Sequence, residues 1–126
     1  MFSIDLRSRT PLYAQLVDSV KDAVLQGRLE PDSQLPSVRE LAARLAINPN
    51  TIQKAFRQLE KEGYLYSVPG RGNFVASLHP RDLELEREKV VLELERVLDA
   101  AAKRGLPLET VLELARKTYD RKAGEE

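Results

Sequence analysis

Apolar side chains recur every three or four residues in three successive stretches of the N-terminal half, which predicts three helices with one buried face each. In the first helix, Thr10 is expected as the N-cap, Pro11 as the first helical residue and Gly27 as the C-terminal stop. Its inward positions are Leu12, Leu16, Val20 and Val24. A turn over residues 28–34, which contains Pro31, Asp32 and Ser33, leads to the second helix.

The second and third helices carry strong start signals and are joined by a short connection. Ser37 and Glu40 form a predicted capping box at the start of the second helix. Asn48 and Pro49 are a favoured N-cap and first residue for the third helix, predicted over residues 49–62, and Gly63 ends it. The predicted inward positions are Val38, Leu41, Ala42 and Leu45 in the second helix and Ile52, Ala55, Phe56 and Leu59 in the third.

Beyond Gly63 the apolar residues no longer recur at helical spacing but alternate with polar residues. Residues 64–68 and 73–76 predict two short strands, and the Pro69-Gly70-Arg71-Gly72 segment predicts a tight connection with one exposed arginine. Two joined helices followed by a hairpin predict a winged helix-turn-helix domain over residues 1–77, with the wing at residues 69–73.

From His79-Pro80 onward the chain becomes highly charged, and residues 78–126 form a predicted helical tail. One helix is expected over residues 82–104 and a second after Pro107, with Gly105 between them. We expect an antiparallel pair of helices that is too small to bury its apolar faces alone and therefore forms a homodimer. The predicted dimerisation residues are Leu83, Val90, Leu94, Val97, Leu98, Ala101, Leu108, Val111, Leu112, Ala115 and Tyr119. The predicted fold class is mainly α with a small β-hairpin.

Composition narrows the possible functions. The chain has no cysteine and one histidine, which argues against a disulfide framework and against a Cys- or His-based metal centre. No apolar run approaches the roughly 20 residues of a membrane span, and Met1 to Asp5 lack the features of a signal peptide, so we expect a cytoplasmic protein. There is no Cys-His pair and no P-loop glycine pattern, so we expect no enzyme and no cofactor.

Charge is balanced over the whole chain but not along it. The 20 basic and 20 acidic residues give a net charge of zero, whereas many nucleic-acid-binding domains carry a net positive charge. Residues 34–77, however, contain six basic and three acidic side chains. A locally basic surface on a neutral molecule is therefore expected, with weak non-specific binding to nucleic acid.

The outer face of the third helix carries the side chains that read DNA. Asn and Gln pair with adenine, Arg and Lys with guanine or phosphate, and Thr contacts the thymine methyl group. The predicted DNA-binding residues are Ser37, Arg39, Asn48, Pro49, Asn50, Thr51, Gln53, Lys54, Arg57, Gly70, Arg71 and Gly72. For each of them a structural role is the alternative, since Ser37 and Asn48 are helix caps in any case and polar residues on an outer face are often only solvated. The alternative for the whole domain is a winged helix that binds protein, with the tail as its docking surface.

Several motifs in fixed order resemble the N-terminal domain of GntR-family transcription regulators. They are LPSVRELA (35–42), NPNTI (48–52), LEKEG (59–63) and GRGNFV (70–75). The short helical tail resembles the YtrA subfamily. The resemblance implies a dimeric, usually repressing, bacterial transcription factor that binds a palindromic double-stranded operator. It places DNA contacts on Arg39, on residues 48–51 and Gln53, and on Gly70 and Arg71.

Three positions depart from the family pattern. Ala46 and Asp32 stand where the family commonly has glycine, and Asn73 stands where threonine often follows the wing glycine. If Ala46 needs a positive φ, it carries strain on the order of 1 kcal/mol. The tail leaves little room for the cavity of roughly 300 Å³ that a small-molecule ligand needs, and the sequence assigns no effector.

Overall fold

The fold is described by a computed structural model over residues 4–124. Residues 1–3 and 125–126, which include most of the segment assessed for a signal peptide, lie outside the described residues. The helices are α1 (Leu12–Leu25), α2 (Val38–Leu45), α3 (Pro49–Lys61), α4 (Pro80–Lys103) and α5 (Leu108–Gly124), and the strands are β1 (Leu65–Val68) and β2 (Gly72–Val75). The mainly helical fold with a small antiparallel hairpin, expected from the sequence, is confirmed.

The chain divides into two compact units, one ending at His79 and the other starting at Pro80. The hydrophobic core of the first unit brings together the inward faces of α1, α2 and α3, the start of β1 and the end of β2. Its fully buried large side chains are Leu16, Val20, Leu41, Ile52, Leu59 and Val75. The helical spacing predicted the helical members of this set, because each places its side chain on the same side of its helix as its apolar neighbours.

The start of α1 differs from the sequence-based expectation. Pro11, with a ψ of 146°, is the N-cap instead of the first helical residue, and no side chain caps this end. The prediction that Thr10 caps the helix is wrong, because Thr10 lies one residue too far out to accept from the first turn. The Gln15 side chain instead ties down the preceding segment by donating to the carbonyl groups of Asp5 and Thr10, both at 2.9 Å.

The caps of α2 and α3 follow the sequence more closely. The Ser37 hydroxyl accepts from the Glu40 amide at 3.1 Å, and Asn48 Oδ1 accepts from the Asn50 amide at 2.8 Å. The capping box is only half formed, because the Glu40 carboxylate accepts from the Ser37 hydroxyl at 3.4 Å rather than from the Ser37 amide. Both helices nevertheless begin where the capping residues predicted.

A third segment of the chain pairs with the hairpin, which the sequence did not predict. β1 and β2 pair antiparallel, with Tyr66 opposite Phe74 and Val68 opposite Gly72. Residues 32–35 then pair with the free side of β2: the Asp32 amide donates to the Val75 carbonyl, the Val75 amide to the Ser33 carbonyl, and the Leu35 amide to the Asn73 carbonyl. The wing is therefore tied to the segment that leads into α2.

The second unit contains α4 and α5, which lie in the predicted tail. α4 begins at Pro80, earlier than the predicted residue 82, because proline fits the first helical position. No residue of α4 or α5 is buried within the part of the chain that the structure describes. Half-burial near the turn between the helices is limited to Ala100, Ala101, Thr110 and Val111. The two helices therefore bury little of their apolar surface against each other.

Candidate nucleic-acid interface

The connection between α2 and α3 sets the direction in which α3 leaves the core. Ala46 ends α2 in the left-handed conformation, with a φ of 54°, and the Ile47 amide donates back to the Ala42 carbonyl at 3.1 Å. Ile47 is buried, and the next residue, Asn48, caps α3. A hydrogen-bonded turn, a buried anchor and a cap follow one another, so the start of α3 is fixed by its local sequence.

α3 separates a buried face from a polar outer face. Ile52, Ala55, Phe56 and Leu59 are buried as predicted. Among the predicted DNA-binding residues of this helix, Thr51 is half-buried and the exposed ones are Pro49, Asn50, Gln53, Lys54 and Arg57. Asn50, Lys54 and Arg57 are spaced by four and three residues and so project from one side of the helix. That side has the hydrogen-bonding groups for base edges or phosphates.

The Lys54 side chain makes a contact within the protein that the sequence did not predict. Its ammonium lies 3.8 Å from the centroid of the Tyr13 ring, on α1. Farther along, Lys21 of α1 and Glu62, at the end of α3, form an ion pair at 2.6 Å. These two contacts link α3 to α1, and the first of them directs the Lys54 side chain toward α1.

All three arginines that were predicted to contact DNA are exposed. Arg39 lies in the first turn of α2, Arg57 on the outer face of α3 and Arg71 in the wing. Within residues 4–124, none of these guanidinium groups takes part in a hydrogen bond or an ion pair. Unpaired cations of this kind are available for phosphate or guanine.

The two capping side chains that were also predicted to contact DNA are already engaged. The Ser37 hydroxyl is shared between the amide and the carboxylate of Glu40, and Asn48 uses its carbonyl oxygen as a cap. Asn48 can still donate through its amide nitrogen while it caps. A phosphate contact by the Ser37 hydroxyl would replace its bond to the Glu40 carboxylate.

The wing tip is a tight turn between β1 and β2. The Arg71 amide donates to the Val68 carbonyl at 2.9 Å across Pro69 and Gly70. Gly70 has a φ of 78° and Gly72 a φ of 118°, both in the region that favours glycine. Because Leu35 pairs with Asn73 of β2, the wing lies close to the start of α2, which carries Ser37 and Arg39.

Two side chains from residues 32–35 contact the hairpin, which the sequence did not predict. Gln34 Nε2 donates to the Arg71 carbonyl at 2.7 Å, and the Tyr66 hydroxyl donates to Asp32 Oδ1 at 2.8 Å. The Asp32 carboxylate raises the pKa of Tyr66, since it accepts a hydrogen bond from the phenol hydroxyl and its negative charge disfavours the phenolate. Tyr66 also stacks on Phe74, with ring centroids 5.6 Å apart.

The predicted dimerisation residues lie on the exposed helices of the second unit. Leu83, Ala101 and Val111 are half-buried, and the others are exposed: Val90, Leu94, Val97, Leu98, Leu108, Leu112, Ala115 and Tyr119. Leu85, Leu92 and Leu114 are further exposed apolar residues that were not predicted as part of this face. A shallow depression of about 350 Å³ lies along α4 alone and is open to solvent.

The described residues contain no other sign of chemistry. Within residues 4–124, no group of three or more His, Cys, Asp or Glu side chains could hold a metal ion. None of the helices in that range is long and apolar enough to cross a bilayer.

Comparison with known proteins identifies similar regulators. A family model described as "Bacterial regulatory proteins, gntR family" matches residues 12–75. The HTH-type transcriptional repressor YtrA of Bacillus subtilis (strain 168) is 45% identical over 76 residues, or 60% of this chain. The chain spans 58% of the length of YtrA and 30% or less of two further curated repressors that it matches.

Two solved structures extend the likeness to the fold. A transcriptional regulator from Oenococcus oeni superposes with a TM-score of 0.71 at 29% identity, covering 94% of this chain and 99% of that one. The DNA-binding domain of AraR, in a crystal structure with operator ORE1, superposes with a TM-score of 0.52 at 34% identity. That match covers 60% of this chain and 93% of the AraR domain.

Proposed function

This chain belongs to the gntR family of bacterial regulatory proteins, and we propose that it is a DNA-binding transcription regulator, a cytoplasmic homodimer that represses transcription by binding a palindromic operator. The observation that carries the proposal is the outer face of α3, a capped helix on which Asn50, Lys54 and Arg57 share one exposed side, with the Lys54 ammonium over the Tyr13 ring. Those residue types at that spacing fit a helix that enters the major groove.

In this proposal each part of the first unit has a separate task. Asn50, Thr51 and Gln53, in the first turns of α3, contact base edges, and Lys54 and Arg57 contact phosphates or guanine. Arg39 and the wing, with Gly70, Arg71 and Gly72, contact the backbone on either side of the groove. Ser37, Asn48 and Pro49 fix the helix starts, and the Asn48 amide nitrogen donates to a phosphate.

The exposed apolar residues of the tail support the homodimer. Leu94 is 54% exposed and Val97 is 57% exposed, although both are large apolar side chains on one side of α4. Burial of such a side chain contributes roughly 1.5 to 3 kcal/mol, so a second copy that covers this face gains substantial stability. A two-fold dimer presents two α3 helices to two half-sites of opposite orientation, which is what a palindromic operator requires.

Repression is supported by the relatives. YtrA is named a transcriptional repressor, and the repressor NagR of the same organism is 39% identical to this chain over 74 residues. A dimer without an assigned effector site represses by occupying its operator. No cofactor or effector is required in this account.

Salt dependence of DNA binding tests the assignment of the contact residues. Arg39→Ala combined with Arg71→Ala should weaken binding to a selected duplex, and the slope of log affinity against log salt should fall by about one for each phosphate that is no longer neutralised. Arg96→Ala with Arg121→Ala is a matched control, because it removes the same charge from the tail helices, on the sides opposite to the predicted dimerisation residues. An unchanged affinity and slope in the Arg39/Arg71 variant would refute the contact assignment and favour a winged helix that binds protein.

A further inference from the structure

The segment before α2 contacts the wing through side chains as well as through its backbone. Asp32 lies in a turn, with a φ of 66°, and Gln34 follows it by two residues at the point where the chain pairs with β2. Both reach the hairpin, Asp32 through the Tyr66 hydroxyl and Gln34 through the Arg71 carbonyl. Gln34 is opposite Phe74 in the strand pairing, which places it next to the wing tip.

Gly72 makes this approach of Gln34 possible. A Cβ atom at Gly72 would lie 3.1 Å from Gln34 Nε2, closer than ordinary van der Waals contact. The space that a side chain would fill at residue 72 is occupied by the amide of Gln34. Gly72 also has a φ of 118°, which suits only glycine. The backbone conformation of the wing and the approach of Gln34 therefore both depend on glycine at residue 72.

The Arg71 peptide needs such a support. Gly70 and Gly72 flank Arg71, and glycine has the largest conformational freedom of any residue. The Arg71 amide is held by the Val68 carbonyl, and the Arg71 carbonyl is held by Gln34 at 2.7 Å. Both peptide groups of Arg71 are therefore fixed, while its guanidinium group is exposed and makes no bond within residues 4–124.

We propose that Gln34 is a positioning residue for DNA binding, which holds the Arg71 peptide so that the Arg71 side chain is presented to the DNA. The inference rests on the proposed function, because it matters only if the wing contacts DNA. Gln34 lies outside both the helix-turn-helix and the wing, and its effect on DNA passes through Arg71. Without the hydrogen bond, the wing samples several conformations, and binding must select one of them.

The first test removes the hydrogen bond and keeps the size of the side chain. Gln34→Met should lower the affinity for a duplex selected by the wild-type protein by about three- to tenfold, the usual range for removal of one hydrogen bond. Its thermal midpoint should stay within a few degrees of the wild-type value. Gln26→Met is the matched control, since it removes a surface hydrogen bond from Arg28 at the end of α1 and should leave the affinity unchanged.

The second test separates positioning from a general effect on stability. In an Arg71→Ala background, Gln34→Met should cause no further loss of affinity, because the group that it positions is gone. An equal loss in both backgrounds, or no loss in either, would overturn the proposal while leaving DNA binding by the wild-type protein intact. If Arg71→Ala alone left the affinity unchanged, the role of the wing and the role of Gln34 would both be refuted. Absence of any wild-type binding to duplex DNA would instead refute the proposed function.

Discussion

Within residues 4–124 of this GntR-family protein, two residues other than glycine have a positive φ and so depart from ideal local geometry. Asp32 has a φ of 66° and Ala46 a φ of 54°. Aspartate tolerates this region better than most residues, and Asp32 also bonds to Tyr66. Ala46 has no polar group to compensate for the strain. The backbone therefore has the positive φ for which the sequence analysis expects strain at Ala46.

Replacement of Ala46 should stabilise the first unit. Ala46→Gly relieves left-handed strain of roughly 1 to 2 kcal/mol and raises the entropy of the unfolded chain, for a net gain of about 0.5 to 1 kcal/mol. Ala43→Gly, on the exposed side of the same helix, should cost about 1 kcal/mol because its backbone is helical. Urea denaturation of the two variants checks this; a loss of stability in Ala46→Gly would contradict the strain argument.

The bond between Tyr66 and Asp32 gives a pH-dependent signal. The pKa of Tyr66 is raised above that of the unfolded chain, which is about 10. The stability from this bond is therefore fully present below pH 10 and is lost as the pH rises through the folded pKa. Asp32→Asn keeps a residue that tolerates positive φ but removes the charge, so it should lower the pKa of Tyr66.

Spectrophotometric titration of tyrosinate measures that change, with Tyr66→Phe to identify the signal that belongs to Tyr66. A titration curve that is the same in wild type and Asp32→Asn would show that the carboxylate has no influence on the phenol.

At the scale of elements, α3 depends on its cap and on α1. Asn48 caps the N-terminus of α3, and the contact between Lys54 and Tyr13 and the ion pair between Lys21 and Glu62 link α3 to α1. These contacts within the protein hold the helix with its polar face outward. Binding to DNA then requires little rearrangement of the helix itself.

Asn48→Asp separates capping from DNA binding at one position. Aspartate caps as well as asparagine and suits the positive end of the helix dipole, so stability should change by less than about 0.5 kcal/mol. Its negative charge repels phosphate, and the affinity for DNA should fall severalfold. Asn48→Ala loses the cap, at a cost of about 1 kcal/mol. Thermal unfolding measures the stability of both variants, and duplex titration measures their affinity for DNA. Normal DNA binding by the Asp variant would show that Asn48 does not contact DNA.

Elements with strong local signals could be predicted from the sequence, and those that depend on distant contacts could not. Ser37, Asn48 and Pro49 mark helix starts, and the apolar spacing indicated the buried faces of α2 and α3. The pairing of residues 32–35 with β2 joins segments about 40 residues apart, and turn-forming Pro31 and Asp32 concealed it. The Gln34 contact with Arg71 was missed for the same reason. No local pattern distinguishes a glutamine that supports a peptide from one that is solvated.

At the scale of the whole molecule, the two units differ in how much apolar surface they bury. The hydrophobic core is built from residues between Ile4 and Leu78, all in the first unit. Among the described residues, α4 and α5 bury none of their side chains. A soluble protein seldom exposes so many large apolar residues on adjacent helices without a partner.

The predicted dimer contact is tested on α4. Leu94→Glu with Val97→Glu should give monomers, because each glutamate would have to be desolvated in the interface. Leu85→Glu with Leu92→Glu is the matched control, since Leu92 is two residues from Leu94 and lies on the other side of the helix. Sedimentation velocity distinguishes the forms; a dimer that persists in the Leu94/Val97 variant would show that these residues are not at the contact.

The proposed function requires two copies of α3 to read two half-sites of one operator. Selection from a random duplex library, with the purified protein at about 150 mM salt, tests this requirement, because non-specific binding is weak at that ionic strength. We expect enrichment of an inverted repeat whose half-sites are centred about one helical turn apart, or a multiple of it. Enrichment of a single half-site would contradict the symmetric dimer, and failure to enrich any sequence would contradict operator binding by the free protein.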